Sequence, residues 1–520
     1  MPRFFNTAGP CDPARHYMLP PERRLTTLRQ LIEQQQYFVL HAPRQTGKTT
    51  AMLTFTAELR SLGYVALMAS LETSQGVADV EHAEHLWLDA IRFAAEFDLP
   101  PELRPPQAST LQDVAAGQRL GALLMRWCAA VARPVVLVLD EADVVRDAPL
   151  VSLLRQLRAG FSRRGPGRFP SSIALVGLRD LRDYLMSAKD GHTVSPGSPF
   201  NIKAESLTLR NFDEAEVVEL LWQHTAETGQ RWTDEALERV WSRTQGQPFL
   251  VNALAWRVTS RLLQDRSVHV GLPTILEAEQ QLILSRTTHL DNLSERVKEE
   301  RVARVIEPVI LGDEFGEIDR LTDGFEYVQD LGLIRRGPAG LEIANPIYRE
   351  VLARVLSYNQ QEDTPAPWWP WRTADGRLDV AALVSEFLLW WRRHADILCN
   401  DRRTPYREAA AHLAFMGFLQ RVVNGGGTVE REYAAARGRV DVVVSYAGER
   451  HVFELKRVRA RAGREAVVEE GIVQLAGYLE TLGVEEGWLI VFDTRELSWE
   501  EKLWVKEERR GGKVLHLRGA

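Results

Sequence analysis

The chain reads as an α/β protein. It is expected to hold a parallel sheet covered on both faces, then a helical segment, a mixed helix–hairpin segment and a separate C-terminal α/β module. Three observations predict this. Upstream of residue 210, short apolar runs alternate with helical stretches, the pattern of strands buried on both sides. From Asp213 to about Leu272 the pattern turns wholly helical, with an interruption at Gly246-Gln247-Pro248. The stretch Gln360 to Arg377 (QQEDTPAPWWPWRTADGR) contains Pro365, Pro367 and Pro370, which forbid a continuous helix and mark a linker.

Taken in order, strands are expected at Tyr37–His41, Tyr64–Ser70, Val135–Leu139, Ser172–Val176 and Ser206–Leu209, because each is a short apolar run bounded by polar or turn residues. Helices are expected over Thr49–Leu62, Val80–Glu96, Leu111–Val131 and Leu150–Phe161. Residues Val302–Val355 read as helices followed by a hairpin at Leu333–Ile343, an order that suits a winged helix. The expected division is 1–210 for the sheet domain, 211–280 for the helical segment, 281–358 for the helix–hairpin domain, 359–378 for the linker and 379–520 for the last module. In the linker, Trp368, Trp369 and Trp371 either stack on unpaired bases or pin the linker onto a neighbouring domain.

With 520 residues the chain is too long for one core. Its 45% hydrophobic and 26% charged content is that of globular proteins and excludes a disordered chain or a coiled-coil rod. The balance of 64 Lys+Arg against 71 Asp+Glu, net −7, excludes a globally basic nucleic-acid coat but leaves room for a local basic groove. Cys11, Cys128 and Cys399 lie far apart, so neither a disulfide framework nor a cysteine zinc site is expected. Met1 to Pro20 lacks the apolar core of a signal peptide, and no apolar run approaches the roughly 18 residues of a membrane span. The expectation is a cytoplasmic protein that does not enter a membrane.

A first site lies at His41-Ala42-Pro43-Arg44-Gln45-Thr46-Gly47-Lys48-Thr49-Thr50, between an expected strand and helix. Such a loop turns successive backbone N–H groups toward an anion at the positive end of a helix dipole. It resembles the Walker A motif of P-loop NTPases, with Ala42 at the first glycine position. The resemblance implies that Ala42 to Thr50 bind ATP, that Lys48 reaches the β- and γ-phosphates and that Thr49 helps to hold Mg²⁺. Val135-Val136-Leu137-Val138-Leu139-Asp140-Glu141, whose Asp140 lies ninety-two residues beyond Lys48, places two carboxylates at the carboxyl end of a buried strand, where parallel sheets bind ligands. This resembles a Walker B motif, which implies Mg²⁺ held through Asp140 and attacking water oriented by Glu141. An aspartate followed directly by glutamate is similar to hydrolysing ATPases of the AAA and STAND-like group.

Two further pieces fit that resemblance. Ile173 to Asp180 has the place of a fourth strand whose tip carries a γ-phosphate sensor, a role for Arg179 or Arg182 unless they form exposed ion pairs. Gly246-Gln247-Pro248 is similar to the GxP signature of STAND-like lid domains. The likeness spans roughly residues 15–355 and implies ATPase core, helical lid and winged helix, with a possible homo-oligomer. Arg155, Arg158, Arg163 and Arg164 precede the fourth strand, either as a finger toward a neighbouring subunit or as solvated surface.

A second site lies in the last module. Asp441–Tyr446 is strand-like, Ala447–Arg450 makes a turn, and His451–Lys456 returns. Alternation puts Glu454 and Lys456 on one face and Phe453 and Leu455 on the other. Asp441, Glu454 and the Leu455 carbonyl offer hard oxygens for Mg²⁺ or Mn²⁺, and Lys456 a charge for the transition state of phosphodiester hydrolysis. The spacing resembles the PD-(D/E)xK nuclease superfamily, with Val440 in place of the proline. Glu408 on an expected helix Tyr406–Val423 matches the acidic residue of that core's first helix. Gln474-Leu475-Ala476-Gly477-Tyr478 matches the QxxxY of its RecB-like branch. The resemblance spans roughly 379–518, implies a restriction-endonuclease-like α/β/α fold, and implies catalytic roles for Glu408, Asp441, Glu454, Lys456, Gln474 and Tyr478. Arg437, Arg439, Arg457, Arg459, Arg461 and Arg464 would track phosphates or sit at solvated strand ends. Together the two resemblances imply ATP-controlled, metal-dependent cleavage of DNA. The rival readings are an ATP-dependent switch, or a DNA translocase, whose nuclease-like module binds rather than cuts.

Overall fold

In the computed structural model the described residues are 2–178, 203–285, 295–297, 299–311, 323–337, 340–358, 371, 373, 375–400, 410–423, 428–435, 438–458, 463–495 and 497–520. They form two compact units. The first holds Met1–His289, Glu317–Gly340 and Ala344–Pro346; the second holds Leu290–Gly316, Leu341–Ile343 and Ile347–Ala520.

In the first unit, β1 (Tyr37–His41), β2 (Val65–Ser70), β3 (Val135–Asp140), β4 (Ser172–Gly177) and β5 (Lys203–Thr208) make one sheet in the order β2-β3-β4-β1-β5. Every pairing is parallel. The continuous apolar runs of β1, β3 and β4 follow from burial on both faces. α3 (Val80–Asp98), α4 (Arg119–Val131) and α5 (Asp147–Phe161) supply Trp87, Leu124 and Leu153 to one core. α1 (Leu28–Glu33) and α2 (Lys48–Ser61) supply Leu31, Met52 and Phe55 to the other. The helix expected from Leu111 begins only at Arg119, because Gly117 takes a positive φ of 82° and the preceding residues form a short 3-10 turn, Ala108–Leu111.

α4 starts on a partner distant in sequence. The carboxylate of Glu84, 0% exposed, accepts from the N–H groups of Gly117 at 2.5 Å, Arg119 at 3.1 Å and Leu120 at 3.4 Å, and from Gln156 Nε2 at 2.8 Å. A helix has unpaired donors in its first turn, and here a side chain from α3 satisfies them.

The helical segment follows as α6 (Glu214–Thr228), α7 (Asp234–Thr244), α8 (Pro248–Arg257) and α9 (Leu272–Leu284). Asp213 caps α6 through a reciprocal capping box with Glu216, and Pro248 opens α8 where its missing N–H costs nothing. Residues 2–19 cross α6: Arg3 holds Glu227 at 2.8 Å, Gln223 bonds Met18 at 2.9 Å, and Phe5 and Tyr17 pack on His224. Beyond these come α10 (Glu300–Leu311), α11 (Asp323–Asp330), the hairpin β6 (Ile334–Gly337) and β7 (Gly340–Ile343), and α12 (Pro346–Tyr358).

In the second unit, α13 (Val380–Asn400) and α14 (Ala410–Val423) precede β8 (Thr428–Ala435), β9 (Gly438–Tyr446) and β10 (Glu449–Val458); then come α15 (Arg464–Leu482), β11 (Glu486–Asp493), β12 (Val505–Arg510) and β13 (Lys513–Gly519). The six strands form a mixed sheet in the order β12-β13-β11-β10-β9-β8. Phe387 and Phe415, from α13 and α14, cover one face together with Phe453 and Leu455; Leu475 and Leu479 of α15 cover the other with Val452 and Val458. Trp371 is buried against Phe418 and bonds Glu386, so this tryptophan is pinned to the second unit; Trp368 and Trp369 lie outside the described residues. Among the described residues no helix is long and apolar enough to cross a membrane.

Candidate functional site

The loop after β1 has the form the sequence implies. Gln45 and Gly47 take positive φ values of 58° and 93°, and α2 begins at Lys48. The left-handed turn at Gly47 suits glycine, and it brings the loop's amides to the N-terminus of a fourteen-residue helix. Ala42 is buried at the first glycine position of the motif, so its Cβ is accommodated in the core beneath the loop. Lys48 Nζ donates to the carbonyls of Ala42 at 2.7 Å and Pro43 at 3.0 Å, which holds the ammonium across the mouth of the loop. Burial lowers its pKa to about 8, against the opposing pull of Asp143 and Asp140.

Thr49 Oγ1 donates to Asp140 Oδ2 at 2.9 Å. A hydroxyl and a carboxylate brought together beside a loop of amides is a donor set that fits Mg²⁺, which prefers one or two protein oxygens and completes its shell with water and phosphate. Asp140 is buried at the tip of β3, and burial raises its pKa while the Thr49 and Glu141 bonds lower it. Glu141 takes a left-handed φ of 55° and its N–H returns to Asp140 Oδ1 at 2.9 Å. Burial, then the charges of Glu72, Asp140 and Asp143, raise its pKa. Gly177 ends β4 against Asp143: a Cβ there would lie 2.9 Å from Asp143 Oδ1, so Asp143 would have to shift. Arg44 and Thr50 sit in the same loop and helix start; Thr50 Oγ1 accepts from the N–H of Cys11 at 3.0 Å.

The turn between α7 and α8 reaches this loop. Gln247 Nε2 lies 3.5 Å from the Gln45 carbonyl, and Gly332 lies so close to Pro43 that a Cβ would meet its ring at 2.6 Å. Arg24, which the sequence did not single out, donates to the Thr46 carbonyl at 3.0 Å. No local signal marks it, since its partners stand 22 and 186 residues away. Arg179 and Arg182 lie outside the described residues. Of the arginines before β4, Arg164 is engaged with the Gln35 carbonyl and the Phe161 ring, whereas Arg155 and Arg163 line a groove of about 740 Å³ between α4 and α5.

In the second unit, β9 and β10 pair antiparallel with Phe453 opposite Val442, so Asp441 and Glu454 are the next residues on their strands. The side chain of Asp441 and all of Glu408 lie outside the described residues. Glu454 is 3% exposed on a central strand, with Oε1 3.4 Å from Lys456 Nζ. Lys456 also reaches Glu470 at 3.1 Å, and Gln474 Nε2 donates to the same Glu470 oxygen at 3.3 Å. α15 comes this near because Gly471 has no side chain; a Cβ would lie 2.7 Å from Leu489 and 3.1 Å from the Lys456 stem. Tyr478, one turn beyond Gln474, packs on the same cluster as Val452 and Val458. Glu454, Lys456, Gln474 and Tyr478 therefore share the α15 face. The side chain of Leu455 belongs to the opposite core, leaving only its carbonyl as a ligand candidate. His412 is on that opposite side too, against Phe492. Of the arginines expected to track phosphates, Arg464 donates to the Glu501 carbonyl at 3.0 Å, while Arg437, Arg459 and Arg461 lie outside the described residues. Glu470 is the residue that sequence reasoning missed; it precedes Gln474 by one helical turn. Among the described residues no cluster of three His, Cys, Asp or Glu side chains is placed to hold a metal.

No family model matches the chain, and no curated protein does. Solved structures are similar in part. The Walker-type ATPase PABY2304 of Pyrococcus abyssi is 17% identical, with 67% of this chain and 99% of that one covered at a TM-score of 0.48. The Thermotoga maritima RuvB Holliday junction branch migration motor is 15% identical, with 64% and 92% covered at a TM-score of 0.35. At such identities and scores, what supports a function for this chain is the geometry of its own residues.

Proposed function

We propose that the chain binds and hydrolyses ATP at the loop after β1 and cuts DNA at the β9–β10 hairpin with a divalent metal, cleavage being set by the nucleotide state. The observation that carries the first half is the Thr49 hydroxyl 2.9 Å from the Asp140 carboxylate, beside a buried lysine and a left-handed glycine turn. Lys48 would meet the β- and γ-phosphates, Thr49 and Asp140 would hold Mg²⁺, and Glu141 would orient the attacking water. Mg²⁺, when bound, neutralises phosphate charge. Arg179 is the proposed sensor of the γ-phosphate, and a homo-oligomer through this domain is part of the proposal.

The second half rests on Glu454, Lys456 and Gln474 meeting on one face of a central strand through Glu470. Asp441, Glu454 and the Leu455 carbonyl would hold Mg²⁺ or Mn²⁺, which lowers the pKa of bound water. Lys456 would place that water or stabilise the charge developing on the phosphate, with Glu408, Gln474 and Tyr478 completing the site.

The test is cleavage of plasmid and single-stranded DNA with Mg²⁺ or Mn²⁺, with and without ATP. Wild type should cut and Asp441→Ala should not. Lys456→Ala should stop cutting while ATP turnover persists, and Lys48→Ala should abolish turnover. Wild type that hydrolyses ATP but binds DNA without cutting it would leave the switch or translocase reading.

A further inference from the structure

A phosphate loop works only if its N–H groups face the ligand, and each N–H is rigidly tied to the carbonyl before it. Whatever bonds those carbonyls from behind therefore sets the grip. Two side chains from outside the loop do this. Arg24 stands at the end of a 3-10 turn, Pro21–Arg24. Its Nη1 donates to the Thr46 carbonyl at 3.0 Å and the Arg210 carbonyl at 3.1 Å, and its guanidinium lies 4.7 Å from the centre of the Phe212 ring. Nη2 is 3.3 Å from the place a Gly47 Cβ would take, so the cation lies directly against the loop's tightest turn. Fixing the Thr46 carbonyl fixes the N–H of Gly47.

Gln247 approaches from the lid. The residue is 4% exposed and its amide is used at both ends: Oε1 accepts from Leu250 N–H at 2.7 Å, capping α8, and Nε2 lies 3.5 Å from the Gln45 carbonyl. Fixing the Gln45 carbonyl fixes the N–H of Thr46. Both contacts share one anchor. Phe212, over which Arg24 lies, donates its N–H to the Gly246 carbonyl at 3.0 Å. Gly246 itself has a φ of +70°, and a Cβ there would sit 1.9 Å from the Phe212 oxygen.

We propose that Arg24 and Gln247 are positioning residues for phosphate binding, and that Gln247 makes the loop's hold on phosphate depend on the placement of the helical lid. The proposal rests on the nucleotide reading above. It makes the turn Gly246-Gln247-Pro248 a coupling element: a lid displaced from the loop would withdraw the Gln45 contact and loosen the phosphates.

The probe is inorganic tripolyphosphate, which has no base or sugar and so reads the loop alone, displacing a fluorescent ATP analogue from the full chain. Gln247→Asn is the separating variant, because asparagine caps a helix as well but is one methylene too short to reach the loop. Arg24→Lys keeps the charge but loses the planar group that lies on the Phe212 ring and aims Nη1 at the two carbonyls. Each should weaken tripolyphosphate about five- to twentyfold. The melting temperature of Gln247→Asn should match wild type, and the KM for ATP should rise more than kcat falls. Wild-type affinity in Gln247→Asn overturns the proposal, and so does a loss of affinity accompanied by an equal loss of stability, which would make the residue a cap alone. A wild type that binds neither ATP nor tripolyphosphate would instead sink the nucleotide reading itself.

Discussion

Lys48 is held by two carbonyls of its own loop, and burial has lowered its pKa to about 8. Phosphates placed beside it would favour the charged form, so its pKa rises on binding. Below about pH 8 the free site already carries the proton and affinity for ATP should be nearly flat. Above it, binding must recruit a proton from solvent, and affinity should fall by up to about tenfold per pH unit. Dissociation constants between pH 7 and 9.5 measure this; a flat profile would contradict it. The residues of the loop were legible because strand, loop and helix start are contiguous, so a short pattern carries the geometry. The place of Asp140 was legible because a buried apolar run ends there in two acids. The contacts of Arg24, Gln247 and Glu470 were not, because they depend on which chain segments the fold brings together.

At the scale of elements, α4 depends on Glu84, a carboxylate that no periodicity links to a helix start 35 residues on. Glu84→Ala would leave several buried donors without an acceptor. Chemical denaturation should show a loss of about 3 kcal/mol; a loss under about 0.5 kcal/mol would mean the donors are satisfied otherwise. The N-terminal segment across α6 makes a second case. His224 is packed among Phe5, Tyr17 and Trp232, and burial lowers its pKa to about 4. A depressed folded pKa means the unfolded chain takes up the proton first. Stability should therefore hold above pH 6.5 and decline as pH falls from 6.5 toward 4. Melts across that range should show the decline in wild type and a shallower one in His224→Phe; equal slopes would remove His224 as the cause. Strand positions are legible because β1, β3 and β4 are buried on both sides. The first turn of α4 and the course of residues 2–19 are not, since tertiary partners rather than local pattern place them.

At the scale of the whole molecule, each of the two compact units carries a set of charged side chains beside a sheet. The alternation of Glu454 and Lys456 against Phe453 and Leu455 was legible from strand period alone: Phe453 and Leu455 enter one core, and Val452 and Val458, in phase with Glu454 and Lys456, enter the other. The association of Lys456 with α15 was not, because it depends on Gly471 letting a helix approach the strand. The most direct measurement of the central claim is steady-state phosphate release from ATP by wild type, Lys48→Ala and Glu141→Gln, paired with ATP binding. Wild type should turn over, Lys48→Ala should lose binding and turnover, and Glu141→Gln should bind ATP while turnover drops by about a hundredfold or more. Turnover unchanged in both variants would contradict the account.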